Sequence, residues 1–186
     1  MEKNILNKKC DIINTMEQST SNVDVYNLNN KWTLWFHHVD DPNWSEESYI
    51  KIHDIDSIAD FWNVVNTIKD FTNGNFFLMR SNIFPRWEDI NNLDGGYWSI
   101  RVLKADSNKK WINLMMLLIG ETITEKHEHI NEINGITISP KINNCVIKIW
   151  NRNSAKKELG MLSKSNMFNN SDVLFRAHQE HNDFQK

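Results

Sequence analysis

The sequence predicts an α+β fold: one domain built on a mostly antiparallel sheet covered by helices on one face. Three observations carry that expectation. Aromatic and β-branched runs such as KWTLWFHHV and CVIKIW recur along the chain, as strands require. Helical patterns separate some of them. Other links are short loops, which a purely parallel sheet does not allow. The 186 residues suit a single domain, long enough to bury about 70% of its unfolded surface.

Residues 1–29 are polar without a sustained period and are expected to form a disordered tail, with the domain over 30–186. KWTLWFHHV is the first strand, and DDPNWS ends it with turn chemistry that leaves Trp44 on a loop. DSIADFWNVVNTIKDF reads as a helix capped by Asp56 or Ser57, with Ile58, Phe61, Val65 and Ile68 at helical spacing. NFFLMRS and GGYWSIRVL are strands, and PRWEDINNLD between them is a loop carrying Trp87 and Glu88.

KKWINLMMLLIGE is apolar nearly all round and reads as a buried helix ending at Gly120, although its periodicity also fits a strand. GITISP and CVIKIWNR form a strand pair, SAKKELGMLSKSNMF reads as a surface helix, and SDVLFRAH as a last strand. No internal repeat is present.

Composition excludes several function classes. A net charge of −3 gives no broad positive field for nucleic acid, so any such partner must be gripped locally. Two cysteines, Cys10 and Cys145, provide neither a disulfide framework nor a four-cysteine zinc site, which points to a reducing compartment. No apolar run is long enough to cross a membrane or to act as a signal peptide. His127, Glu128 and His129 nearly spell the zinc-hydrolase helix motif, but Asn131 stands where its second histidine belongs. His178 and His181 have no partner acid at a diagnostic spacing. Neither a Gly-rich phosphate loop nor a serine nucleophile elbow is present.

The loop tryptophans carry the chemistry. Trp44 and Trp87 fall on different loops; at one sheet edge their rings would form a slot for a flat ligand, and the negative faces of two indoles favour a cation. Glu88 adds an edge, because a carboxylate accepts two parallel N–H donors, the pair guanine presents at N1 and N2. Guanine alkylated at N7 is positively charged and satisfies both conditions. The plainer reading, with Glu88 and Asp89 as solvated loop acids and Trp87 plugging the sheet edge, fits these residues equally well.

Taken in order, KWTLWF, the loop Trp44, IADFWNVVNTI, PRWED, GGYW, KWINLMMLLIGE and VIKIW make residues 26 to about 180 resemble the eukaryotic translation initiation factor 4E family of mRNA cap-binding proteins. All eight tryptophans, at 32, 35, 44, 62, 87, 98, 111 and 150, fall where that family pattern has tryptophan. The resemblance implies a curved antiparallel sheet with about three helices on its convex face and the 7-methylguanosine cap in the concave one. It further implies that Trp44 and Trp87 sandwich the base, Glu88 takes its N1 and N2 protons, the Trp87 backbone N–H meets O6 and Trp150 touches the methyl group.

The phosphate side departs from the pattern. Lys141 stands where arginine is usual, Asn143 and Val146 where lysines are common, and Tyr97 where arginine is usual. Strand alternation puts Val146, Lys148 and Trp150 on one face, so Lys148 is expected to replace a missing cation. On the back, Trp62, Ile58, Ile112 and Met116 match the surface that receives a partner's amphipathic helix. Asn113 there replaces a typical glutamate, and YNL at 26–28 replaces HPL.

The expectation is a monomeric, non-enzymatic protein without cofactor or metal, binding the 5′ cap of mRNA and recruiting messages to the ribosome through a scaffold partner. It would work in the cytoplasm, with the nucleus as a second location, and not on a membrane. Two alternatives stand beside it: a cap-binding repressor that does not recruit the productive scaffold, and an aromatic-cage reader of another cationic ligand.

Overall fold

The computed structural model describes residues 26–163 and 173–179. Its seven strands are β1 (Asn27–His37), β2 (Ile50–Ser57), β3 (Asn75–Arg80), β4 (Gly96–Leu103), β5 (Ile133–Pro140), β6 (Asn144–Asn151) and β7 (Val173–Ala177). All neighbouring pairs are antiparallel, in the order β2-β1-β3-β5-β6-β4-β7. The result is the curved, single-sheet α+β architecture expected from the sequence.

Period-two alternation divides the side chains between two faces. Trp32, Leu34, Leu78, Trp98, Ile100, Ile136, Ile147 and Ile149 turn toward one continuous core. Over that core lie α1 (Ile58–Ile68) and α2 (Lys104–Ile119). Trp32, Trp98 and Trp111 are at most 1% exposed; an indole burying about 200 Å² contributes roughly 5 kcal/mol before chain entropy is subtracted. Phe77, Met79, Tyr97 and Trp150 alternate to the opposite, helix-free face, where Trp35, Tyr49 and Trp87 pack on them.

The helices match the sequence in kind and differ in detail. Ser57, not Asp56, caps α1: its hydroxyl accepts from the Asp60 N–H, and the Asp60 carboxylate accepts from the Ser57 N–H. Asp56 instead pairs with Lys31 at 2.9 Å. Phe61, Val64 and Val65 form the buried stripe of α1, while Ile58 is 44% exposed at its edge. In α2 the apolar character is one-sided, with Trp111, Leu114, Met115 and Leu118 fully buried and Met116 exposed. Gly120 ends the helix as expected, but Glu121 takes the left-handed conformation, at φ 56°. Its buried carboxylate is held there by donors from Asn29 and Asn30 and by His127.

Three expectations change. The first strand starts at Asn27, so residues 27–29 belong to the sheet rather than to the tail; residues 1–25 lie outside the described residues. IKIHDIDS, whose last two residues were expected only as a helix cap, forms an edge strand. SAKKELGMLSKSNMF is not helical through Ser163, apart from a 3-10 turn at Leu159–Met161, and its remainder lies outside the described residues. Side chains from the sheet fix that segment in another path: Asn151 donates to the carbonyls of Asn153 and Lys156, and the Trp98 indole donates to that of Lys157. No described helix is long and apolar enough to cross a membrane.

Candidate functional site

On the helix-free face a cleft of about 230 Å³ is lined by residues that include Trp44, Tyr49, Trp87, Glu88, Lys148 and Trp150. One wall comes from the loop after β1. Asp41 accepts from the Asn43 N–H and Asn43 from the Ser45 N–H, two Asx turns that carry the chain back toward the sheet. His37, fully buried at the strand end, lies 2.7 Å from the Asn43 carbonyl through Nε2. The Trp44 indole stacks on the same imidazole, with centroids 3.8 Å apart and planes within 2°. Half of Trp44 remains exposed. Tyr49 supports this wall edge-on, and burial pushes its phenol up to about 12.

The opposite wall is the loop between β3 and β4. Asp89 accepts from the N–H groups of Phe84 and Asn91, while buried Asn92 donates to the carbonyls of Phe84 and Arg86. Asn134 of β5 reaches in to donate to Asn91 and Asn92. The loop closes at Gly95, where any Cβ would collide with the Asn151 carbonyl. This network fixes Trp87 and leaves Glu88 turned outward, its side chain 42% exposed. The adjacent acids thus divide their work, Asp89 tying the loop and Glu88 standing at the rim, paired with the neighbouring Arg86.

The floor and far end come from the strands. Trp150 on β6 is held by its indole N–H donating to Thr137 at 3.3 Å. Two residues earlier on the same face, Lys148 places its ammonium 4.1 Å from the centroid of the Tyr97 ring. Burial first, then the charges of Lys141 and Arg176, pull the Lys148 ammonium down to about 8. No carboxylate among the described residues pairs with it. The structure therefore gathers Trp44, Trp87, Glu88, Lys148 and Trp150 at one cleft and sets Lys141 on the hairpin beside it.

Four contributors had no signal in the sequence reading: His37, Tyr49, Arg86 and Arg176. His37 sat inside a strand run, and Arg176 faces the cleft only because β7 pairs with β4, opposite Tyr97. His178, just after β7, is 1% exposed and lies against Trp150 and Tyr97, while His181 lies outside the described residues. Among the described residues no group of three potential ligands forms a metal set. A second hollow, of about 280 Å³, is lined by Glu125, Lys126, His129, Lys156 and Glu158 and has no aromatic wall.

The helical back presents Trp62 and Ile58 on α1 and Met116 on α2 as exposed apolar side chains, at 44%, 44% and 37%. Ile112 and Asn113 are half-buried beside them in sequence. Tyr26 joins this edge, since its carbonyl accepts from the Ile58 N–H at 2.9 Å.

Two aromatic walls, an acidic rim and a half-buried cation thus meet at one cleft on the sheet. The family model for eukaryotic initiation factor 4E matches residues 27–186, and the chain belongs to that family. It is 29% identical to eukaryotic translation initiation factor 4E1 of Drosophila melanogaster over 166 residues, 82% of this chain and 62% of that protein. With the Eremothecium gossypii factor 4E it shares 30% over 170 residues, covering 84% and 79%. The chain spans 64% of the Dictyostelium discoideum relative, so it corresponds to under two thirds of several of these proteins. In three dimensions it resembles Caenorhabditis elegans eIF4E-3, solved with the 4E-binding protein Mextli and a cap analog, at a TM-score of 0.75 and 21% identity over 86% of this chain and 96% of that one. Ascaris suum eIF4E-3 with an m7G cap gives 0.73 and 24%, over 83% and 92%.

Proposed function

We propose that this protein binds the 7-methylguanosine 5′ cap of mRNA and links capped messages to the translation machinery through a partner helix on its back. The carrying observation is that Trp44 and Trp87, from separate loops, line one cleft with Glu88 at its rim. A methylated guanine between the indoles gains cation–π attraction on both faces. Glu88 takes the N1 and N2 donors, a bidentate charged pair that plain aromatic cages lack. Trp150 at the floor faces the methyl group. The work is binding without turnover, in the cytoplasm.

The phosphates run toward Lys148, with Lys141 and Arg176 adding charge. Tyr97 holds the position where the family usually has arginine; Lys148 lies over that ring and supplies the cation from the neighbouring strand. Trp62, Ile58 and Met116, flanked by Ile112 and Asn113, receive the partner's amphipathic helix. Asn113 and the Tyr26–Leu28 stretch favour a partner motif different from the usual one, which keeps a repressor role as the second reading.

Tryptophan-fluorescence titration tests the proposal. Quenching should be strong with 7-methyl-GTP and weak with GTP, and Glu88→Gln should weaken 7-methyl-GTP binding by about tenfold or more, the size of a lost charged hydrogen-bond pair. Equal affinity for methylated and plain GTP refutes it.

A further inference from the structure

Glu88 is not idle within the loop. Arg86, two residues earlier in the same loop, spans both carboxylate oxygens: its Nη2 lies 3.1 Å from Oε1 and its Nε donates to Oε2 at 3.3 Å. This is the side-on fork of a bidentate guanidinium pair. The guanine N1–H and N2–H edge needs the same end of the same carboxylate in the same two-pronged manner, and a carboxylate has one such end. The two forks therefore exclude each other.

A second acceptor lies within reach. The Nη1 of Arg86 is 3.7 Å from Oε1 of Glu46, two residues after Trp44 on the opposite loop. Arg86 thus stands between carboxylates borne by the two loops that carry the two indoles. Glu46 is mostly solvent-exposed, and nothing in the cleft requires its charge.

We infer that Arg86 is a built-in competitor for the base-recognition edge, released from Glu88 to Glu46 when ligand enters. The inference rests on the cap-binding reading and adds a specificity element to it. A ligand that offers two aligned donors displaces the guanidinium, whereas one offering a single donor leaves it paired. Cationic ligands without a donor edge meet the positive charge of Arg86 at the rim and gain nothing from Glu88. Arg86 lowers affinity for every ligand and lowers it most for the wrong ones.

Titration of the whole chain with 7-methyl-GTP and GTP, wild type against Arg86→Met, is the test. Loss of an exposed ion pair predicts 7-methyl-GTP binding about threefold tighter in Arg86→Met. Arg86→Lys, which keeps the charge but cannot fork, should also bind more tightly than wild type, by a smaller factor. Glu46→Gln should weaken binding about twofold when Arg86 is present and leave Arg86→Met unaffected. Far-ultraviolet circular dichroism and a thermal melt for each variant establish that it is folded. Unchanged or weaker binding in folded Arg86→Met and Arg86→Lys, with methyl preference intact, overturns this inference alone. Loss of methyl preference in the wild type overturns the cap-binding reading and the inference with it.

Discussion

Replacing Lys148 by methionine should make the protein more stable at neutral pH and less so at high pH. The ammonium sits among strand side chains with no carboxylate partner among the described residues, and burial lowers it from the ordinary 10.5 to about 8. Each tenfold of proton affinity is about 1.4 kcal/mol, so the charge costs the folded state about 3 kcal/mol. The Tyr97 ring face, 4.1 Å away, returns about 1 kcal/mol, which leaves about 2 kcal/mol. The sign follows from linkage: the unfolded chain binds this proton more tightly, so the cost is fully present below about 8 and disappears as pH rises toward 10.5. Methionine fills a similar volume without the charge. Urea unfolding of both proteins at pH 7 and pH 10 should show Lys148→Met ahead by about 2 kcal/mol at the lower pH and level at the higher. A stability difference independent of pH refutes the assignment of a desolvated, unpaired cation. The same substitution should reduce the ratio of 7-methyl-GTP to 7-methyl-GMP affinity, because the second and third phosphates lose their partner.

The remaining predictions concern the walls and the back. His37→Phe should keep the parallel stack under Trp44 and retain 7-methyl-GMP affinity, whereas His37→Ala should lose about fivefold, the worth of one aromatic pair. Titration of both variants decides, and equal loss in both would assign His37 to its Asn43 contact instead. Trp62→Ala should weaken capture of a 4E-binding protein's helical fragment by about 30-fold or more, as expected for a central tryptophan anchor. Calorimetry with that fragment measures it, and an unchanged affinity moves the partner surface elsewhere.

What the sequence displayed and what it hid follow from burial and locality. Aromatic and β-branched runs made β1, β3, β4, β5 and β6 visible, and a polar-capped stripe made α1 visible. β2 was hidden because an edge strand pairs on one side only, so IKIHDIDS can carry His53, Asp54 and Asp56 facing water or one another. The start of α2 was hidden because Leu103 at its N-cap offers no side-chain acceptor. Ser154–Ser163 carries helix-forming residues, and donors from Asn151, at the end of the preceding strand, and from Trp98, distant in sequence, override them. At the site, Trp44, Trp87 and Glu88 could be named because loop aromatics beside an acid are unusual. Arg176 could not, because its place depends on which strand closes the sheet.

On the proposed cap-binding reading, the cation at the phosphate end accounts for the substitutions around it. A loop arginine or lysine grips phosphate from solvent, where its charge is screened and its side chain pays entropy on ordering. Lys148 instead projects from a central strand, paired on both sides by β4 and β5, and is held over Tyr97 before ligand arrives. Fewer charges are needed when one of them is already placed and partly desolvated, since electrostatic attraction strengthens as local dielectric falls. The same placement destabilises the free protein, as the pH dependence of Lys148→Met would show. Tyr97 and Lys148 then act as a unit: tyrosine removes a flexible arginine and provides the surface on which the lysine rests. Tyr97→Arg alone should therefore fail to improve triphosphate binding, because the new guanidinium would meet Lys148 across the strand pair; Tyr97→Arg with Lys148→Ala should recover it.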